Sequence, residues 1–547
     1  MTIPRLLSPS RSRLPEILAA PFTGALGWML VMTAMQTVMP LYYYFVVRPG
    51  MLASNFGSTV LMIAEAIIMS WALLLPYTIL RRRWRVAAVI WLISALVLLM
   101  ADWLIDLACA VIYETSFSPD IAGVILASNI GEGADFLATY GGGPAAIAAL
   151  LSLLLFVILW FAGRKLTRVM HRTDAISRGY CMIAALTVLL LSAVIAVAEP
   201  LQLVTKVNLR GKAATFMRLD LGHEIVPQHP GLTQISSDCP QKIVVIIGES
   251  LSRTHCSLYG YGRLTQPRLG QLREDSSLIV FSNPTAPACH TMAALQRVIG
   301  TWDGEGSRSW YECPTFIEVA RLSGYPVSWI SNQASKGIYD NPVVKIAEFC
   351  DRHRFTNDGM MGVNSGGYDE AVLPLIDDWM DHSRGLTVIH LMGSHISYDN
   401  RYPAAYGRFM PGDYPELPSH QRETIAAYDN SVLYNDFVVS SILDRYADKD
   451  AVVIYFSDHA QDLYRSSLTY CGHTRADDPV SVEAGREIPF MVYLAEPFRR
   501  AHPALAERII RSADREVNTT YLIYTIMDLA GTTFAAAPDV ISRSAFR

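Results

Sequence analysis

The sequence contains no Cys-x-x-Cys pair, which excludes a cysteine-built zinc ribbon. Any metal must then be held by His, Asp and Glu. It contains no Gly-x-x-x-x-Gly-Lys-Ser/Thr, so it is not a P-loop protein. No Gly-x-Ser-x-Gly follows a strand, so it does not read as a Ser-His-Asp hydrolase. Charge is scarce: 17% of the 547 residues are charged and the net charge is −5. With no basic run in the C-terminal half, nucleic acid is excluded as a partner. A cleavable signal peptide is missing too, because the first apolar block is too long and lacks a clear small-residue cleavage site.

Hydrophobic residues make up 51% of the chain and crowd before about Pro200. Five blocks, 22–46, 59–80, 86–109, 145–162 and 180–198, have the length and uniform apolarity of transmembrane helices. Water-soluble helices keep a polar face, and these mostly do not. Arg5, Arg11 and Arg13 precede the first block, Arg81, Arg82, Arg83 and Arg85 follow the second, and Arg164, Lys165, Arg168, Arg172 and Arg178 follow the fourth. The first and third connections hold only Arg48. The basic sides are cytoplasmic, so five crossings put everything after Pro200 outside. Of the eight cysteines, Cys239, Cys256, Cys289, Cys313, Cys350 and Cys471 fall in this exported part. An oxidising compartment allows them up to three disulfides, whose pairing sequence alone does not fix.

Three regions follow: a membrane domain over residues 1–200, a Gly- and Pro-containing linker against the membrane over 201–238, and an exported domain over 239–547. In the last, short β-rich runs (243–247, 327–331, 387–392, 452–457, 490–494) alternate with helical patterns (291–299, 315–322, 368–382, 423–447, 519–529). Such alternation predicts an α/β domain with a mainly parallel sheet and helices on both faces.

Three of those runs end on metal-type ligands. The first stops at Gly248-Glu249-Ser250, the third at Gly393-Ser394-His395 and the fourth at Asp458-His459. One strand ending in Asp is ordinary, because Asp begins turns; three such endings are not. Ligands bind at the carboxyl ends of strands in open α/β sheets, and carboxylate with imidazole suits zinc. Glu249, Asp458 and His459 supply three ligands, and a fourth is the nucleophile itself if a metal activates a hydroxyl. Thr291 begins a helical pattern, where the helix dipole and free N–H groups favour phosphate. A plain N-cap is the alternative for Thr291, and Thr285 and His290 are nearby competitors. His395 and His473 are candidates for a second metal or for proton transfer. His390, inside a strand, reads as core. The chemistry these residues allow is phosphoryl transfer or cleavage of a phosphate or sulfate ester.

At these positions the chain resembles the membrane phosphoethanolamine transferases of the alkaline-phosphatase and sulfatase superfamily. The resemblance starts at Gly248-Glu-Ser-Leu-Ser-Arg253-Thr-His255 and continues to Pro267. It goes on through Trp329-Ile-Ser-Asn-Gln333, Tyr368-Asp-Glu, His390-Leu-Met-Gly-Ser-His395, Arg401-Tyr-Pro, Tyr428-Asp-Asn-Ser, Ser457-Asp-His459 and Ile488-Pro-Phe-Met. The order matches over roughly 250 residues, behind five membrane helices. The wording around His390 and Phe456 places it nearer the branch acting on osmoregulated periplasmic glucans.

The resemblance implies one or two Zn2+ ions, with Glu249, Thr291, Asp458 and His459 as ligands and Thr291 as carrier of phosphoethanolamine. It implies His395 and His473 at the phosphate or a second zinc, Asn332 and Lys336 at the headgroup, and Ser128 and Glu132 near the lipid donor. It further implies a multi-pass protein of the bacterial inner membrane with a periplasmic catalytic domain. The donor would be phosphatidylethanolamine and the acceptor an envelope glycan, lipid A or core sugar. Two departures stand out. Asp458-His-Ala460-Gln461 replaces the usual Asp-His-Gly-Glu, which puts one amine contact in doubt, and no Ser-Val-Pro run follows Thr291. A metal-dependent phosphodiesterase or sulfatase, or a glycerol-phosphate transferase, is the alternative within the superfamily.

Overall fold

The computed structural model describes residues 14–42, 56–112, 143–170, 186–192, 228–304, 308–334, 342–357, 367–381, 383–468, 470–474 and 478–547. Ser128, Glu132 and Lys336 lie outside the described residues. The chain divides into two compact units; described residues up to 192 fall in the first and those from 228 onward in the second.

The first unit is helical: α1 (Leu14–Gly24), α2 (Leu26–Tyr42), α3 (Phe56–Leu80), α4 (Arg85–Ile112) and α5 (Gly143–Met170). An uninterrupted apolar segment satisfies its backbone internally only as a helix where water is absent. Trp28, Met32, Leu74 and Leu96 form its interior, with Trp28 edge-on to Trp160 at 5.1 Å. Its outer surface is apolar as well: Val86, Leu98, Leu150 and Phe161 are each more than 60% exposed, a surface that suits lipid better than water. Five crossings are expected from the sequence, and the described residues cover only part of the blocks concerned. Among the described residues, Met62–Leu80 and Arg85–Leu104 are long and apolar enough to span a bilayer. A third is added if Leu14–Phe22 and Leu26–Val38, bent by 62°, count as one span. The fifth block, 180–198, is described only over 186–192.

The second unit is built on a seven-stranded sheet. Its strands in chain order are β1 (Lys242–Gly248), β2 (Leu278–Val280), β3 (Val327–Ala334), β4 (Arg352–Asn357), β5 (Gly385–His390), β6 (Ala451–Ser457) and β7 (Phe490–Leu494). The spatial order is β2-β7-β6-β1-β5-β3-β4. β1 and β6 are buried at every residue, which is why their sequences read as unbroken apolar runs rather than alternating ones. Around them pack α6 (Thr291–Val298), the 28-residue α7 (Ser419–Tyr446) and α8 (Pro479–Arg486).

The sheet is mixed, which corrects the mainly parallel sheet expected from strand and helix alternation. β6, β1, β5, β3 and β4 pair in parallel, but β7 runs antiparallel to both β6 and β2. A parallel return needs a crossover to the far end of the sheet. Here the chain stays near the end of β6: Ala460 N–H donates to Gly485 O at 2.8 Å, so residues 458–489 fold back there and β7 re-enters in the opposite direction.

No disulfide forms at Cys239, Cys256, Cys313 or Cys350, which are free thiols. Cys289 donates to Val482 O at 3.5 Å, and burial pushes the Cys471 thiol up to about 12.

Candidate metal centre

Register builds the centre. β1 and β6 run parallel with Gly248 opposite Ser457, so the next residues, Glu249 and Asp458, leave the sheet side by side. His459 follows at once. One ligand atom from each of Glu249, Asp458 and His459 lies within 4.8 Å of the others, and all three residues are buried. Glu249 Oε1 sits 3.2 Å from His459 Nε2, and Asp458 Oδ2 3.6 Å from the same nitrogen.

The orientation of each group is fixed by a neighbour. His459 Nδ1–H donates to Ala460 O at 2.8 Å, which turns Nε2 toward the carboxylates. Asp458 Oδ1 accepts from the backbone N–H of Ser250 and His459, at 3.1 and 2.6 Å. Its Oδ2 is buried and accepts no hydrogen bond. Glu249 accepts from the Ser250 hydroxyl at 2.8 Å and from Gln333 Nε2 at 3.4 Å.

The electrostatics are compatible with a cation. Burial, then the Glu249 charge, push Asp458 well above the usual carboxylate range. Burial would raise Glu249 as well, but the hydrogen bond and charge of His459 hold it low. Burial opposes a charged His459, yet Asp458 and Glu249 raise it to about 9. A divalent cation would displace that proton from Nε2, give Asp458 Oδ2 a partner and relieve the repulsion between two buried carboxylates. The donor set, two carboxylates and one imidazole, is one that zinc accepts.

Thr291 is the first residue of α6. Its hydroxyl lies 3.2 and 3.3 Å from the two Glu249 oxygens and 3.3 Å from His459 Nε2. Thr285, the competitor, is tied elsewhere: its hydroxyl pairs with Val517 O at 3.5 Å and Asn518 Nδ2 at 3.2 Å. A second group of imidazoles adjoins the first. The His473 ring lies 5.1 Å from His459, 6.2 Å from His395 and 5.4 Å from His290, on which it stacks. Burial lowers all three, His290 and His395 to about 4, so at neutral pH they are uncharged.

Asn332 is held by two neighbours. It donates to Asp369 Oδ1 at 2.9 Å and accepts from Thr356 at 2.5 Å. Asp369 in turn accepts from Met392 N–H and Gly393 N–H at 2.7 and 2.8 Å, fixing the turn that leads to His395. His390 is buried, and neither ring nitrogen is hydrogen-bonded. Gln461 is buried with both amide atoms without a partner. Gln333 and Ser250, which touch Glu249, lie inside motifs that carry the family resemblance, but neither is a metal ligand by residue type.

Residues 241–532, more than half of the chain, match the Sulfatase protein family. The chain belongs to the sulfatase family. It is similar to phosphoethanolamine transferase EptC of Escherichia coli strain K12, at 26% identity over 553 residues, covering 95% of this chain and 92% of that one. The crystal structure of the C-terminal periplasmic domain of Escherichia coli EptC, a complex with Zn, is 28% identical. It matches with a TM-score of 0.53 over 59% of this chain and 90% of that one. The integral membrane protein lipooligosaccharide phosphoethanolamine transferase A of Neisseria meningitidis matches over 97% of this chain and 98% of that one, with a TM-score of 0.63. At 16% identity, that likeness shows a shared fold.

Proposed function

We propose that this sulfatase-family chain is a zinc-dependent phosphoethanolamine transferase. It would move phosphoethanolamine from phosphatidylethanolamine to a hydroxyl or phosphate of an envelope glycan or lipopolysaccharide. The observation that carries this reading is the Thr291 hydroxyl at the start of α6, 3.2 to 3.3 Å from Glu249 and His459. The relatives named phosphoethanolamine transferases and the zinc in the Escherichia coli EptC domain support it.

Glu249, Asp458 and His459 would hold the zinc, with Thr291 beside it. Zinc bound there supplies a Lewis acid that makes a hydroxyl ionise near neutral pH and takes up developing negative charge. Thr291 Oγ1 attacks phosphorus, forming a P–O bond to threonine and breaking the P–O bond to glycerol. The Thr291 proton passes through an uncharged imidazole, His395 or His473, to the departing glycerol oxygen, and diacylglycerol leaves. An acceptor O–H then attacks the phosphothreonine, and Thr291 recovers its proton as the group departs. Backbone N–H groups at the start of α6 would favour the phosphate charge.

Asn332, Lys336, Ser128 and Glu132 are proposed headgroup and lipid contacts on the resemblance alone. The same reading makes residues 1–200 a five-helix anchor in a bacterial inner membrane, 201–238 a linker and 239–547 a periplasmic catalytic domain. Vesicles carrying phosphatidylethanolamine labelled in ethanolamine, or phosphatidylglycerol labelled in its headgroup, test the donor. Transfer of the ethanolamine label alone to envelope material is expected. Transfer of the glycerol label, or release of free phosphoethanolamine to water, would sink the reading.

A further inference from the structure

Helix α7 buries a cluster of polar side chains among its apolar ones. Tyr428, Asp429, Asn430, Ser431, Asn435 and Asp436 are each at most 3% exposed, and each fastens a different part of the domain. Asp429 accepts from Tyr261 and Tyr414 at 2.7 and 2.6 Å and pairs with His255 at 2.7 Å. Asn430 accepts from the backbone N–H of Arg408 and Phe409, both at 2.8 Å. Ser431 donates to Ser394 at 2.8 Å. Asn435 accepts from Tyr455 at 2.9 Å, and Asp436 from the N–H of Leu269 at 2.8 Å.

Tyr428 fastens the segment that carries Glu249. Its hydroxyl accepts from Ser252 N–H at 2.7 Å and donates to Ser250 O at 2.8 Å. Between those bonds the chain is strained. Ser250 has φ +58, a left-handed conformation that is unfavourable for a serine and persists only where its surroundings impose it. Two groups bonded to this turn belong to the centre: Ser250 N–H donates to Asp458 Oδ1, and the Ser250 hydroxyl donates to Glu249 Oε1. If the turn relaxed to an ordinary β or right-handed conformation, both bonds would swing away and the Glu249 carboxylate with them. The Tyr428 ring is held separately, edge-on to Tyr398 at 4.9 Å and to His255 at 5.2 Å. Its hydroxyl can therefore be removed without removing its packing.

We infer that Tyr428 is a positioning residue of the metal centre: its hydroxyl clamps the left-handed turn at Ser250 and so aims Glu249 at Asp458 and His459. This inference rests on the zinc reading above. The test is zinc affinity of the full chain in nanodiscs, by competition with a chromophoric chelator. It compares wild type, Tyr428→Phe, Asp458→Asn, Ser250→Gly and Tyr428→Phe/Ser250→Gly. Tyr428→Phe is expected to weaken zinc binding by about 10- to 100-fold, the cost of losing a residue that orients a ligand, with an unchanged far-UV spectrum and cooperative unfolding. Glycine adopts φ +58 without strain, so the Tyr428→Phe penalty should shrink in the Ser250→Gly background. A loss below about threefold, or the same penalty in both backgrounds, would overturn the clamp while leaving the metal centre standing. Wild type that binds no zinc, or Asp458→Asn that binds it as wild type does, would overturn the metal centre and the clamp with it.

Discussion

His390 and His395 are held to a pKa of about 4, and burial is the main cause in both. In the unfolded chain a histidine titrates near 6.5. Between those values the unfolded chain binds protons that the folded chain refuses, so stability falls as pH drops from about 6.5 toward 4. His502 has the opposite sign. Burial opposes its charge, but bonds to Asp238 and Asp450 raise it. Its contribution is full below about 6.5 and is lost as pH rises through the raised folded value. His502→Gln should therefore lower the urea midpoint at pH 6, with the difference closing at alkaline pH; a constant difference would contradict the ion pair. The residues of the centre differed in how openly they could be read. Glu249, Asp458 and His459 stood out because separate apolar runs all end on metal-type ligands, which one run alone would not signal. Thr291 was placed by helix onset, with Thr285 and His290 as rivals, and the structure puts only its hydroxyl among the three ligands. Gln333, Ser250 and Tyr428 lie in motifs of the family resemblance, but only tertiary contacts show Gln333 on Glu249 and Tyr428 on the backbone of Ser250 and Ser252. Asn332, expected at a headgroup, spends its amide on Asp369 and Thr356.

Elements bring distant ligands together through register and turn shape. The turn after β5 shows how tight the fit is. Gly393 has φ +55, and a Cβ there would stand 2.6 Å from Glu249 O and 2.8 Å from Glu249 N. Neither clash is with a flexible side chain, so nothing can step aside. Gly393→Ala should cost about 1–3 kcal/mol and lower the thermal midpoint; an unchanged midpoint would contradict this account of the turn. Central strands were legible because burial on both faces leaves continuous apolar runs. β4 was not: its Arg352, His353 and Arg354 are exposed, as suits an edge strand, and no apolar pattern marks it. β2 is three residues long, too short for a periodic signal. The antiparallel course of β7 was hidden for another reason. Strand and helix alternation does not record whether a connection crosses over, and the excursion between β6 and β7 folds back instead.

At the scale of the molecule, uneven composition announced two parts before any motif was read. Apolar blocks fill the first and strand and helix alternation the second; the described residues fall into two compact units. Apolarity and length do not show where a helix bends; the 62° break after α1 is the example. The proposed lipid donor would give both parts a common purpose: the apolar helices would keep the chain at a bilayer, and the other unit would carry the chemistry. The measurement that tests this most directly is the intact mass of the purified full chain after incubation with phosphatidylethanolamine and zinc, beside Thr291→Ala. The account predicts a gain of one phosphoethanolamine on the wild type and none on the variant. Wild type without an adduct, or an adduct that survives Thr291→Ala, would contradict it.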